Sequence, residues 1–286
     1  MEHEKLFTRK ATGLVREIGI MTAVIIAVCN VVGLGWQKRV FQAIGWYPLG
    51  ESEIFLGIHP VVMAFLLTGI LILISIYCFA VLSAAMPKSG GGYIFISRIL
   101  SPGAGFVATW LQFWAVAVSY GMIAVAVMEA VFIFGGLAGI NIGHLMRPWI
   151  MFLVGAGVMA LFSGFACLGI KQTGRLLHYI FWIPAAILIV VYLLFLRATP
   201  ETMNVGVQNL FGHSAVEYTN AALAQGMGAA AVGHTYWGAV GSAILAAYWA
   251  FIGYAAATFV AGEVKEAHRT LPRAMFISGG VIILLY

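Results

Sequence analysis

The chain is 286 residues long, 62% hydrophobic and only 9% charged, with a formal net charge of +5. An ordinary soluble domain carries about 25% charged residues and needs a polar face on most of its helices, so this composition excludes a water-soluble fold. Nucleic-acid binding is excluded with it, because the basic residues are not clustered among aromatics.

The mixed, charged start of the chain (Glu2, Glu4, Lys5, Arg9, Lys10) has no short apolar core ending in a small-residue cleavage site, unlike a secretory signal. Beyond it the sequence supplies apolar runs of the length a bilayer crossing requires, about 20 residues each. The first runs from about Ile18 to Gln37 and the second from about Val61 to Met86. A third begins near Ala104 and continues past Phe134, and a fourth occupies Trp149 to Ile170. The fifth spans Tyr179 to Leu196, the sixth about Tyr236 to Ala261, and the seventh follows Arg273 and runs to Tyr286. Lipid leaves each backbone amide to be satisfied within its own segment, so these runs predict helices. Ten-residue alternating strands, the mark of a membrane barrel, do not occur. The fold class expected is an all-α integral membrane protein.

The loops then give an orientation. Alternating the spans places Lys38, Arg39, Arg147 and Arg197 on one side and the other eleven of the fifteen Lys and Arg residues on the opposite side. The positive-inside rule predicts a multi-pass protein of the cell membrane with its N-terminus in the cytoplasm. Cys29, Cys78 and Cys167 each sit in an apolar run without metal-ligand spacing, and are expected to be small buried hydrophobes. His144, His213 and His234 are expected in loops, again without metal spacing.

Two spans are interrupted. Asn30-Val31-Val32-Gly33-Leu34-Gly35 places an amide and two glycines inside the first, where each glycine costs about 1 kcal/mol relative to alanine. Trp249-Ala250-Phe251-Ile252-Gly253 sets a glycine among aromatics inside the sixth. Breaks at corresponding places in two halves of a chain point to a transporter's binding site. A broken helix presents amides at its positive pole and carbonyls at its negative pole, suited to a carboxylate and an ammonium. Close helix packing would also account for such glycines.

The motifs between the spans carry a resemblance. Met86-Pro87-Lys88-Ser89-Gly90-Gly91-Gly92-Tyr93, then Arg98 and Ser101-Pro102-Gly103-Ala104-Gly105-Phe106, resembles the loop after the second helix in the amino acid–polyamine–organocation superfamily. Glu263-Val264-Lys265 followed by Thr270-Leu271-Pro272-Arg273 resembles the link between that family's sixth and seventh helices. Gly33-Leu34-Gly35 and Trp249 to Gly253 fall where members carry their broken-helix motifs. The stretch from about Thr199 to His234 matches nothing in the family pattern.

The resemblance implies the front part of a five-plus-five inverted-repeat transporter fold, the architecture of a well-known class of secondary transporters. A first repeat would occupy about 16–198, an outer loop about 199–235, and the start of a second repeat about 236–286. A fold of that kind would continue past Tyr286, because only about thirteen residues follow Arg273. It also implies a small-molecule substrate, an amino acid or related amine, bound at mid-membrane. Its carboxylate would meet amides around Gly33, Leu34 and Gly35. Its ammonium would meet carbonyls around Trp249, Ala250 and Ile252, with Trp249 as a lid and Gly253 and Asn30 beside it. Leu34 departs from the small polar residue often found there.

Tyr120, near the middle of the third span, is a further pocket candidate. Glu129 is the only acid within a span, and an intramembrane charge is a functional candidate by default. Nine residues separate the two, about two and a half turns, so they face opposite ways and cannot line one pocket. Family members that use a fifth-span lysine or an acid just after the sixth-span glycine have no counterpart here, where Pro184 and Ala255 stand. Exchange or facilitated diffusion is therefore expected, with no cofactor.

Two other readings are weighed against this one. Asn30 to Gly35 also resembles the opening of sodium-coupled neurotransmitter symporters, but those continue with Arg-Phe-Pro where Gln37-Lys38-Arg39 follow. A channel would show rings of like side chains or a repeated filter loop. An enzyme is disfavoured by the lack of any nucleophile elbow, zinc helix motif or phosphate loop, and by the absence of aspartate.

Overall fold

The computed structural model of the chain describes residues 16–33, 40, 55–140, 142–225 and 235–286. Helix α1, Ile20–Val31, is only 12 residues long. At 1.5 Å per residue it covers about 18 Å, little more than half of a hydrocarbon core, so it is a half-crossing. It stops where Val32 turns extended, with the Val32 N–H still bonded to the Val28 carbonyl.

The next span, α2 (Pro60–Ala85), starts with proline at the first helical turn, and the His59 ring accepts a bond from the Val61 N–H. A short helix, α3 (Gly92–Ile99), leads into α4 (Pro102–Leu137), which Ser101 caps by accepting from the Ala104 N–H. With 36 residues α4 is about 54 Å long, more than a perpendicular crossing needs, so it tilts or emerges from the bilayer. A 3-10 turn at Gly143–Met146 joins it to α5 (Pro148–Cys167), and α6 is Ile170–Phe195. Two short helices follow, α7 (Pro200–Phe211) and α8 (Ala215–Ala224). Then comes α9 (Tyr236–Phe251), a break, a 3-10 segment at Ala256–Glu263, and α10 (Ala267–Leu285). Five of these helical stretches are long and apolar enough to cross a membrane. Among the described residues there is no strand, only isolated bridges at Ile18–Val264 and Phe55–Ile58.

The packed centre consists of α1, α2, α9 and α10. Small residues let the backbones approach, which is how membrane helices gain contact when lipid is as apolar as their side chains. Ala239, Ala243, Ala247 and Ala250 form one stripe of α9, none more than 3% exposed. On α10, Gly279 lies against Ile76 of α2 so closely that any side chain there would displace it. Phe65, Phe251 and Met275 fill the space between. Helices α4, α5 and α6 keep most of their large apolar side chains exposed, as lipid-facing helices do.

Two expectations are corrected. Helix α6 begins at Ile170, nine residues before Tyr179, because its first turns (Lys171, Gln172, Thr173, Arg175) stay helical while leaving the apolar layer. Hydropathy marks the edge of the lipid and not the end of the helix. In the stretch after Thr199, α7 and α8 lie among the described residues. Both of its helices begin with capping boxes, Thr199 with Thr202 and Ser214 with Glu217, and the Ala215 N–H donates to Asn204 Oδ1 at 2.8 Å. The pattern Ser214-x-x-Glu217 was the legible signal for it. Finally, Cys29 is half-buried, and Cys78 and Cys167 are exposed.

Candidate substrate site at the two helix breaks

The end of α1 and the end of α9 meet. At Gly253 the backbone takes φ +118°, a conformation that side-chain-bearing residues rarely adopt. A Cβ built there would lie 2.5 Å from Asn30 Oδ1 and 2.9 Å from the Asn30 carbonyl oxygen. The glycine predicted from an aromatic motif in the sixth span is thus required by an asparagine in the first, 223 positions away in sequence. Helix α9 gives way on either side of it: Ile252 is extended, and Ala256 donates to the Gly253 carbonyl in a tight turn at 2.9 Å.

The poles of the two half-helices also converge. The Tyr286 hydroxyl stands 3.0 Å from the Val31 carbonyl oxygen and 3.1 Å from that of Ala250. Val31 is the last residue of α1 and Ala250 the last but one of α9. Both carbonyls belong to final turns, whose acceptors have no partner within their own helix. A single phenolic proton therefore serves two negative helix poles. The Tyr286 ring is held by Phe251, with centroids 5.1 Å apart, and by Phe65, edge-on at 6.1 Å. Tyr286 was not expected at the site. Nothing in the local sequence marks it, because its partners lie 36 and 255 residues away.

The remaining candidates divide. Asn30 is exposed, Ala250 is buried, and Trp249 is 40% and Ile252 53% exposed on the last turn of α9 and just beyond it. These join Gly253 around the crossing. Gly33 is exposed, and a Cβ there would meet none of the described residues within 4 Å, whereas one at Gly253 would run into Asn30. Leu34 and Gly35 lie outside the described residues, as does His234. Tyr120 is half exposed on α4, a helix packed chiefly against α3 and α5. Glu129 is half-buried on the same helix beside Met128, one turn from the Ala124 that packs on Gly155 of α5. Among the described residues no three His, Cys, Asp or Glu side chains come close enough to hold a metal ion.

The loop motifs prove to be the mount for this crossing. Ser89 Oγ accepts from the Gly262 N–H at 2.8 Å. A Cβ at Gly91, where φ is +52°, would stand 3.0 Å from both Thr258 Oγ1 and Phe259 Cε1. The glycine-rich loop is therefore seated on the 3-10 segment that continues the broken sixth span. Gly105 allows α4 to fold back on α3, since a Cβ there would be 2.8 Å from Ser97 Cβ. Residues 16–19 enter α1 pinned to the other side of the same segment: Ile18 N–H donates to Glu263 O at 3.0 Å, and Lys265 N–H to Ile18 O at 2.9 Å.

Residues 18–286 match the family model described as amino acid permease. The chain belongs to the amino acid permease family. It is similar to the serine/threonine exchanger SteT of Bacillus subtilis, 25% identical over 280 residues, which is 95% of this chain and 52% of SteT. It is 32% identical over 98 residues to the large neutral amino acids transporter small subunit 2 of Oryctolagus cuniculus, covering 34% of this chain and 17% of that protein. The Asc-type amino acid transporter 1 of Homo sapiens is 31% identical over 97 residues, again 34% of this chain and 17% of the relative. The chain therefore spans about half or less of the relatives it matches. Family membership and the apolar helices agree on a multi-pass membrane protein.

Proposed function

We propose that this amino acid permease carries an amino acid or related amine across the membrane. The substrate is held at mid-membrane between the end of α1 and the end of α9, and the front five-helix repeat (about 16–198) and the start of the second (from about 236) supply one broken helix each. The observation that carries this reading is the meeting of two negative helix poles, the Val31 and Ala250 carbonyls, beside a glycine that only Asn30 explains. An ammonium offers three donors to such carbonyls, and the amides beyond Val32 would face its carboxylate.

Exchange is the favoured mode, and its support is chemical. Pro184 and Ala255 stand where the family resemblance would put a titratable group that couples transport to protons, and one relative matched over 95% of the chain is named an exchanger. A cell-membrane location with a cytoplasmic N-terminus follows from eleven of fifteen basic residues lying on one side.

The test is thermal-shift binding of the purified protein to a panel of amino acids and polyamines, repeated with Trp249→Ala. At least one amino acid should raise the unfolding temperature. Removing the half-exposed indole should weaken that binding by about 1–3 kcal/mol through lost apolar contact. A panel without a single binder, or equal affinity in the variant, would remove the site from this place.

A further inference from the structure

One cavity of about 680 Å³ lies away from the helix breaks, at the end of the bundle where residues 16–19 enter α1. It is walled by α1 and its entry segment on one side and by the first half of α6 on the other. From Ile18 at its floor to Val31 at the crossing is about 20 Å along α1, so the two sites do not overlap. Its walls are unusual for this chain, in which charged residues are few. Lys171 and Arg175 come from α6 and Lys265 from the link before α10, while Glu17 is the sole carboxylate. Among the described residues Glu17 pairs with Lys171 at 4.0 Å, so the lining carries three basic side chains against one carboxylate.

The cavity is built rather than incidental. Gly174 lets α6 approach α1 until a Cβ would be 3.3 Å from Thr22 Cγ2. One turn on, His178 Nε2 and Thr22 Oγ1 are hydrogen-bonded at 3.1 Å, closing the inner wall. Lys265 is fixed by its backbone bond to Ile18. Beyond the basic end, α6 lines the same cavity with Tyr179, Trp182 and Ile183, each more than half exposed toward lipid. Lys171 and Trp182 are eleven residues apart, about 16 Å along the helix axis.

That gradient, cationic at the membrane edge and aromatic to aliphatic toward the interior, matches the long axis of a phospholipid. We propose that the cavity seats the phosphate headgroup of an anionic phospholipid, with Lys171, Arg175 and Lys265 around the phosphate and an acyl chain along Trp182 and Ile183. Basic pockets between membrane helices bind such headgroups because each nearby Lys or Arg adds favourable charge interaction with them. Free inorganic phosphate shares the headgroup chemistry but would make no use of the apolar wall. A lipid bound there touches both the entry of α1 and α6, and so braces the half-helix whose far end forms the substrate site.

The experiment uses the purified chain in nanodiscs containing equal parts phosphatidylglycerol and phosphatidylcholine, with retained lipids counted by native mass spectrometry. Phosphatidylglycerol should be retained over phosphatidylcholine by roughly tenfold, a preference that falls as salt is raised. Lys171→Gln, Arg175→Gln and Lys265→Gln together should bring the ratio to parity. The charge-preserving set Lys171→Arg, Arg175→Lys and Lys265→Arg should keep it, and so should Lys88→Gln with Arg98→Gln, which remove basic residues elsewhere. A wild-type ratio near one overturns the proposal without recourse to any variant. So does a preference that survives the triple neutralisation, or one that inorganic phosphate abolishes at the same concentration as the lipid.

Discussion

At position 253 a side chain has nowhere to go, because the backbone is in the left-handed region and Asn30 fills the space a Cβ would take. Gly253→Val is expected to cost about 1–3 kcal/mol from the backbone conformation and a similar amount from overpacking. Gly33→Ala meets none of the described residues and should stay within about 0.5 kcal/mol of the wild type. Thermal unfolding in detergent separates the two, and equal losses would mean that the helices do not cross at Asn30. Tyr286→Phe keeps the ring between Phe65 and Phe251 but removes the hydroxyl from both carbonyls. It should lower stability by about 0.5–1.5 kcal/mol and speed amide exchange near Val32 and Ile252. Unaltered exchange there would show that the hydroxyl does not hold the two poles. The glycines were legible in the sequence because a glycine inside an apolar run needs a reason. Tyr286 was not, since a tyrosine in a membrane helix has many ordinary explanations and its partners are distant in sequence.

The elements were legible wherever lipid dictated them and less so at their ends. Helix α2 was expected from about Val61 to Met86 and is Pro60–Ala85, since apolar run and helix coincide there. Helices α6 and α10 start earlier than hydropathy suggests because their polar first turns continue the helix into the headgroup layer. The glycine-rich loop after α2 was recognised by likeness alone, and its structure supplies the cause. Gly91 admits Thr258 and Phe259, and Ser89 satisfies the Gly262 amide. Ser89→Ala leaves that half-buried N–H without its acceptor, at about 1–3 kcal/mol. Gly91→Ala forces its neighbours outward at 3.0 Å contacts. Each should raise amide exchange across residues 256–264. The double variant should cost less than the sum of the two, because both undo the same docking. Strict additivity would mean that the loop and the 3-10 segment are not one unit.

For the whole molecule the proposed transport raises the matter of what drives net movement of substrate. A proton-coupled carrier needs a group whose charge changes during the cycle, and burial moves Lys, Glu or His toward titrating near neutrality. The positions that the family resemblance marks for such a group hold Pro184, inside α6, and Ala255, just past the break. Glu129 is the remaining acid within a span, and it lies on α4, a helix packed chiefly against α3 and α5. No described residue of the crossing itself carries a carboxylate or an amine: it is made of Asn30, the Val31 and Ala250 carbonyls, Gly253 and the Tyr286 hydroxyl. Helix poles bind a zwitterion through fixed partial charges that do not titrate, so loading and unloading need no proton. The expected outcome in proteoliposomes is uptake stimulated by substrate on the opposite side, and none concentrated by a pH gradient alone. Glu129→Gln should leave exchange within about twofold of the wild type, as expected for a residue outside the site. Concentrative uptake driven by a pH gradient without sodium or internal substrate, and lost in Glu129→Gln, would instead make Glu129 the proton carrier and place the coupling on α4.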